Sequence, residues 1–332
     1  MRLVLVAGTT RTAGIEGISA AGAHPDLLRH TPSADAEILT YGRPVAPPEG
    51  EAHPTPVSPT GCPTPAVVTR AVREVLGFDV TVLDAGLGAP SSAPTVDLGA
   101  VPGNDVREGR TVPDARGVFE RARRLGASLP GPLLVGETVP GGTTTALGVL
   151  RALGYDHSVC SSLPDNPLDL KERVVAEGLA AAGLDDGTGD PIRAVRAVGD
   201  PVLTAVAGLV VGASEAGTEV TLAGGTQLVA AGALVRHWSD APLDVATTSF
   251  VADATPDLAT ACADLDLSLT VTDPGFTDDH VAMARYLAGE GKEGVGMGGV
   301  LALADREDSL PAVRERIVTV YDRLLGDEGG EP

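Results

Sequence analysis

The chain has 332 residues, with 24 lysines and arginines against 45 aspartates and glutamates, for a net charge of −21. That length can bury a full core, and an acidic balance without a basic patch excludes nucleic acid as the expected partner. Lys171 and Lys292 are the only lysines and aromatics make up 3%, a balance that reads as adaptation to high intracellular salt, a statement about solubility rather than fold. Cys62, Cys160 and Cys262 are scattered without a C-x-x-C pair, which points to a reducing cytoplasm and away from disulfides or a zinc site. No run of 18 apolar residues occurs, so no membrane span is expected.

In chain order, Arg2 to Ala7 reads as a first strand, ending at Gly8-Thr9-Thr10. Arg11 to Ala23, with Gly14, Gly17 and Gly22, reads as ordered loop or a short helix. Residues 31–65 hold many prolines, Pro44 to Pro65 among them, and are expected to form an extended connection lying over a site. Ala66 to Leu76 follows as a helix and Phe78 to Asp84 as a strand. Val118 to Leu129 is an amphipathic helix with an arginine-rich, solvated face.

Pro132 to Val135 is a short apolar strand, and Gly136, Gly141 and Gly142 then free the backbone for a close-approaching loop. Any of Thr143, Thr144 and Thr145 can cap the helix through Leu150. Strand, glycine loop and helix N-terminus make an anion site, which should lie at the carboxyl end of a central parallel strand. The spacing mimics a nucleoside-triphosphate loop with glycine in place of its lysine, so one phosphate is the better guess. Glu137 would cost anion affinity unless it binds something else, such as ribose hydroxyls.

Leu168 to Ala182 is a helix stopped by Gly183, and Pro201 to Ala213, apolar on nearly every face, a buried one. Val220 to Ala223 is a strand, and Gly224-Gly-Thr-Gln227 a second glycine loop opening a helix through Val235. Leu243 to Thr247 and Leu265 to Val271 are further strands. Gly289 to Gly299 is a third glycine-rich stretch, holding Glu290 and Glu293 ahead of apolar Val300 to Ala304. Leu310 to Leu325 is a last amphipathic helix, before a frayed acidic tail at 326–332. The alternation predicts an α/β fold: a doubly wound, mainly parallel sheet flanked by helices, with a minor helical lobe from the chain ends. No repeat or long linker divides it, so residues 1–332 read as one domain.

These segments resemble a known family. Gly136-Glu-Thr-Val-Pro-Gly-Gly-Thr-Thr-Thr145 resembles the G-E-M-G-I-G-N-T-T loop of the nicotinate-nucleotide:dimethylbenzimidazole phosphoribosyltransferases. Val198-Gly-Asp-Pro201 and the helix after it are similar to their G-G-x-D/E-I-A-A-x-A-G segment, and Val220 to Gly225 stands where they have V-L-L-D-G-F. Glu293-Gly-Val-Gly-Met-Gly resembles their R-L-G-E-G-S/T-G-A, which holds the catalytic glutamate. Leu5 to Thr10, Gly17 to Gly22 and Thr40 to Pro44 resemble the archaeal branch, a match over almost the whole chain, whereas the bacterial match covers roughly residues 130–304. The chain departs at Gly142, where the motif has asparagine, and at Ala223, where it has aspartate; the bacterial D-H-G-V segment has no counterpart.

The resemblance implies transfer of ribose 5-phosphate from nicotinate mononucleotide to a benzimidazole-type base, forming the lower-ligand ribotide of a cobamide. It implies Glu293 as catalytic residue and Glu137, Gly141, Gly142, Thr143, Thr144, Gly224 and Gly225 as substrate-binding residues, with no cofactor and no metal. A cytoplasmic homodimer is the implied setting. A ribotide-binding protein without catalysis, or a hydrolase acting on the same nucleotide, would use the same loop. Glu293 fits a base of raised pKa, because glycines allow close approach and Val295 and Met297 limit hydration. Glu290, beside Lys292, is expected to be solvated. The histidines (His24, His30, His53, His157, His237 and His280) read as isolated structural or surface residues.

Overall fold

The structure, a computed structural model, describes residues 1–19, 27–46 and 51–326. At its centre lies a seven-stranded sheet in the order β3-β2-β1-β4-β5-β6-β7, with every strand pair parallel. The strands are β1 (Arg2–Ala7), β2 (Asp79–Asp84), β3 (Thr95–Asp97), β4 (Leu133–Thr138), β5 (Val220–Ala223), β6 (Asp244–Thr248) and β7 (Ser268–Thr272). The early helices are α1 (Thr31–Tyr41), α2 (Ala66–Leu76), α3 (Ala115–Gly126), α4 (Gly142–Ala152) and α5 (Leu168–Ala182). Next come α6 (Pro191–Val198), α7 (Pro201–Glu215), α8 (Thr226–Val235), α9 (Ser249–Ala254) and α10 (Leu258–Asp264). Last are α11 (Val281–Leu287), α12 (Met297–Arg306) and α13 (Leu310–Leu325).

The central strands are apolar on both sides because both sides are covered. Val4 and Val6 of β1 and Leu133 and Val135 of β4 face a layer built from α3 to α8. Leu3, Leu5 and Leu134 face a second layer of α1, α2, α11, α12 and α13. The second layer is thus assembled from the two chain ends, where α2 packs against α13. The doubly wound parallel architecture is the one expected.

Several elements differ from expectation, and β3, α9, α10 and α11 lie in segments given no assignment from the sequence. The proline-rich connection begins with α1, because Pro32 stands in a first turn, where its missing N–H costs nothing, and Gly42 ends the helix at φ 82°. The arginine-rich helix α3 starts three residues early, at Ala115. Leu265 and Leu267 are buried in the turn after α10 rather than in a strand, so β7 begins at Ser268. Helix α6 was not anticipated; Asp190 caps it by accepting from the Ile192 and Arg193 amides, and Pro191 takes its first position. Part of the Arg11 to Ala23 segment, and the tail from residue 327, lie outside the described residues.

Strand lengths create the opening that matters. β4 pairs with β1 to its tip, Glu137 opposite Val6 and Thr138 opposite Ala7, but with β5 only as far as Val135 opposite Leu222. Where β5 has turned away, the backbone N–H of Val295 donates to the Glu137 carbonyl at 2.7 Å. A loop more than 150 residues later in the chain is therefore docked onto the end of β4.

Candidate active site

A cleft of about 840 Å³ opens at the carboxyl end of β4, in the crevice where the sheet order reverses between β1 and β4. Ligands of doubly wound sheets bind at this place. Its floor is β4 and the turn into α4, its far wall the loop ahead of α12, and its roof residues 56–65.

The floor departs from the simple loop expected. β4 runs on through Gly136 and Glu137, so Glu137 sits on a strand, 2% exposed. Gly136 has to be glycine there: a Cβ would lie 2.6 Å from the Gly296 backbone. The threonines do not cap α4. Gly141 does, at φ 79° and without a side-chain bond, which puts Thr143, Thr144 and Thr145 inside the first turn. Thr145 donates to the Gly142 carbonyl and to Asp200, the buried cap of α7. Thr143 accepts from the Lys171 ammonium at 2.9 Å. Thr144 Oγ1 is buried and has no partner.

The wall brings the acid groups in. Glu293 is half-buried, and Thr226 donates to its Oε1 at 3.2 Å. Its Oε2 rests on Gly225, where any Cβ would collide with it, and that oxygen is shut off from solvent without a partner. Gly224 and Gly225 therefore lie behind Glu293 rather than on the cleft surface; the Gly224 amide donates to the Ala246 carbonyl at 3.0 Å. Burial raises the Glu293 pKa, while Lys171 and the Thr226 donors oppose the rise. Burial also lifts Glu137 well above the usual carboxylate range, and Glu293, Asp200 and Asp35 add to it. Of the two facing carboxyls, Glu293 is the one with a nearby cation, so it is the readier to carry the charge.

Glu290 is not solvated. Left-handed Gly289 (φ 84°) and Gly291 (φ 57°) turn it inward, where it is 7% exposed. Ser58 and Thr60 of the roof donate to it at 2.8 and 2.6 Å. At the other end of the roof Thr64 donates to Asp35 at 2.6 Å, and Thr138 donates to the same carboxyl at 2.7 Å. Burial pushes Asp35 up to about 6 in spite of these donors. Tyr286 adds a bond to the Pro63 carbonyl at 3.0 Å. Residues 56–65 of the proline-rich segment thus roof the cleft, tied down by two buried carboxyls.

Four further residues escaped the sequence reading. Both lysines point inward: Lys171 donates to the Cys160 carbonyl at 2.7 Å, and Lys292 to the Ser161 and Leu163 carbonyls at 2.9 and 2.7 Å. Burial lowers Lys171 to about 8. Asp35 and Gln227, the others, line the cleft. The lysine count was a signal in hand, read only as surface chemistry. The histidines are not all isolated either. His30 and His53 meet at 3.0 Å between Nδ1 atoms, and His53 approaches Glu37 at 3.7 Å. The pairing joins α1 to the strap before the roof, a contact no spacing announces; His24 lies outside the described residues.

Of the residues singled out beforehand, Glu137, Gly141, Gly142, Thr143 and Glu293 line the cleft together, with Thr144, Gly224 and Gly225 just behind. The lining holds four carboxyls, Asp35, Glu137, Glu290 and Glu293, and among the described residues no lysine, arginine or histidine. Such a cleft stabilises positive charge. Among the described residues, three of the five buried side-chain atoms without a partner, on Thr144, Gln227 and Glu293, lie at or just behind this cleft.

No family model matches the chain. It is 57% identical over 328 residues to the UPF0284 protein of Halobacterium salinarum, covering 96% of this chain and 97% of that one. It is 42% identical over 339 residues to the UPF0284 protein of Methanothermobacter thermautotrophicus (97% and 92% covered), and 36% over 333 residues to that of Pyrococcus furiosus (97% and 98%). Among solved structures it is similar to the nicotinate-nucleotide-dimethylbenzimidazole phosphoribosyltransferase of Thermus thermophilus, with TM-score 0.60, 19% identity, and 100% of this chain and 86% of that one covered. A structure of CobT from the same organism gives TM-score 0.62, 19% identity and coverage of 99% and 86%. At that identity the likeness is one of fold.

Proposed function

The chain belongs to the UPF0284 family, and we propose that its cleft transfers the 5-phosphoribosyl group of nicotinate mononucleotide to a benzimidazole-type base, yielding an α-ribotide. The observation that carries this reading is the convergence of Glu293 and Glu137 on one cleft whose described lining holds four carboxyls and no cationic side chain. The nicotinate ring is a pyridinium while attached to the sugar and leaves as a neutral ring when its nitrogen keeps the electron pair of the breaking C–N bond. Positive charge therefore grows on the sugar, where Glu293, the readier of the two carboxyls to ionise, can stabilise it. The incoming base attacks the anomeric carbon through its unprotonated ring nitrogen, and its other ring nitrogen must shed a proton. Glu293, its pKa raised by burial, takes that proton. In this reading the phosphate binds at the α4 N-terminus, and the Thr143 hydroxyl, backed by Lys171, supports that position. The fold and motif likeness to the phosphoribosyltransferases supports the same assignment.

The test is mass spectrometry of the products from nicotinate mononucleotide and dimethylbenzimidazole in molar potassium chloride, where so acidic a surface should be folded. The expected products are the α-ribotide and free nicotinate. Nicotinate with ribose 5-phosphate would replace transfer by hydrolysis, and nucleotide binding without turnover would leave a binding protein.

A further inference from the structure

The resemblance places an asparagine where this chain has Gly142. The space above Gly142 is not empty: a Cβ built there would run into the Nε2 and Cδ of Gln227, reaching over from α8. Gln227 is 5% exposed, lines the cleft, and leaves at least one N–H of its Nε2 without a hydrogen-bond partner. Its polar neighbour is the Glu137 carboxyl, which it holds down as a hydrogen-bond donor against the effect of burial. A buried amide nitrogen with two N–H groups, at most one of them engaged by Glu137, is costly to maintain beside a cavity unless a ligand completes it.

We propose that Gln227 is a substrate-positioning residue, supplying from α8 the amide that the motif carries at position 142, and that its Nε2 and Glu137 together hold the ribose hydroxyls of the nucleotide. The two side chains offer a donor beside an acceptor, and Glu137 keeps an acceptor oxygen in either protonation state. A vicinal diol needs that arrangement, since one hydroxyl can accept from the amide while its neighbour donates to the carboxyl. The exchange also accounts for two residues at once. Gly142 makes room for the amide, and the amide makes a side chain at 142 redundant.

This inference rests on the phosphoribosyl reading, and calorimetry in molar potassium chloride separates the two. The ligands are nicotinate mononucleotide and its 2′,3′-dideoxy analogue. Gln227→Met keeps the side chain's length and removes the amide. It should weaken the nucleotide about tenfold, the worth of one well-made hydrogen bond, and leave the dideoxy analogue as in wild type. Gly142→Asn alone should weaken the nucleotide further, because the new side chain meets Gln227. The swap Gly142→Asn with Gln227→Ala should recover most of the loss. Equal nucleotide affinity in Gln227→Met and wild type, or an equal loss for both ligands, would overturn the diol contact, and a swap without recovery would overturn the exchange. A wild-type protein that binds no nucleotide brings down the phosphoribosyl reading itself.

Discussion

Helices α4 and α12 begin in the same way and almost touch. Gly141 and Gly296 cap them at φ 79° and 77°, neither helix has a side-chain cap, and Gly136, five residues before the first cap, packs on Gly296. Their surroundings separate them. The start of α4 opens on the cleft with Gly142 and Thr143 in its lining, whereas the start of α12 is pressed into the sheet, Gly298 against β6 and Gly299 against Ala223. The loop before α12 brings carboxyls and a strained residue, Val295 at φ 52°, a conformation seldom taken by a β-branched side chain. One backbone device thus opens a helix end onto the cleft in one place and, in the other, leads out of the loop that brings a carboxyl to the same cleft. A helix N-terminus becomes an anion site only when its surroundings leave it open.

The strongest way to break the comparison is to remove the carboxyl while keeping the loop. Glu293→Gln should retain nucleotide binding and lose transfer by roughly 10²- to 10⁴-fold, the worth of a positioned base. The wild-type rate should climb with pH as Glu293 ionises, above the usual carboxylate range, and the variant's profile should lose that limb in steady-state kinetics. Near-normal transfer would end the assignment. A smaller effect is expected at Glu290, which touches the roof. Glu290→Gln weakens the Ser58 and Thr60 contacts, so KM should rise about tenfold with kcat within a factor of a few, since bonds to a charged group are worth about 1.5–3 kcal/mol and one oxygen acceptor remains. A collapse of kcat with unchanged KM would move Glu290 into the chemistry.

The smallest effect tests the strain. Ordinarily a buried valine replaced by glycine loses about 1.5–3 kcal/mol of apolar burial and roughly 0.5–1 kcal/mol of chain entropy. At Val295 relief of about 1–3 kcal/mol of backbone strain opposes that loss. Val295→Gly should therefore shift the melting temperature by only a few degrees while lowering transfer, since Glu293 loses the stiff neighbour that sets its direction. A large drop in melting temperature would show that the conformation is held at no cost.

How far the sequence was legible follows the same division between local and distant causes. Ala66–Leu76, Leu168–Ala182 and Leu310–Leu325 fall where periodicity and flanking glycines place them, because these signals act within one turn of helix. Helix α6 carried a usable sign, Asp190-Pro191, of the kind that also opens α7 at Asp200-Pro201. In the site, Glu293 and the Gly141–Thr143 turn were legible through motif spacing. The inward turn of Glu290, the roof bonds to Asp35 and the amide of Gln227 were not. Each depends on a partner brought from a distant part of the chain, Thr60 to Glu290 or Thr64 to Asp35, and no local pattern encodes such a meeting.

The two lysines make a closing point about composition. A surface that carries its positive charge as arginine has in effect been screened for lysine, and only Lys171 and Lys292 remain in the chain. Both ammonium groups end on the Cys160–Leu163 segment beside the cleft. A compact, single-point cation fits there, and a planar guanidinium fork, with five donors to satisfy, would not. Scarcity turns an ordinary residue into a marker: in a chain this biased, whatever the bias has spared deserves to be read as a candidate site residue before any motif is sought.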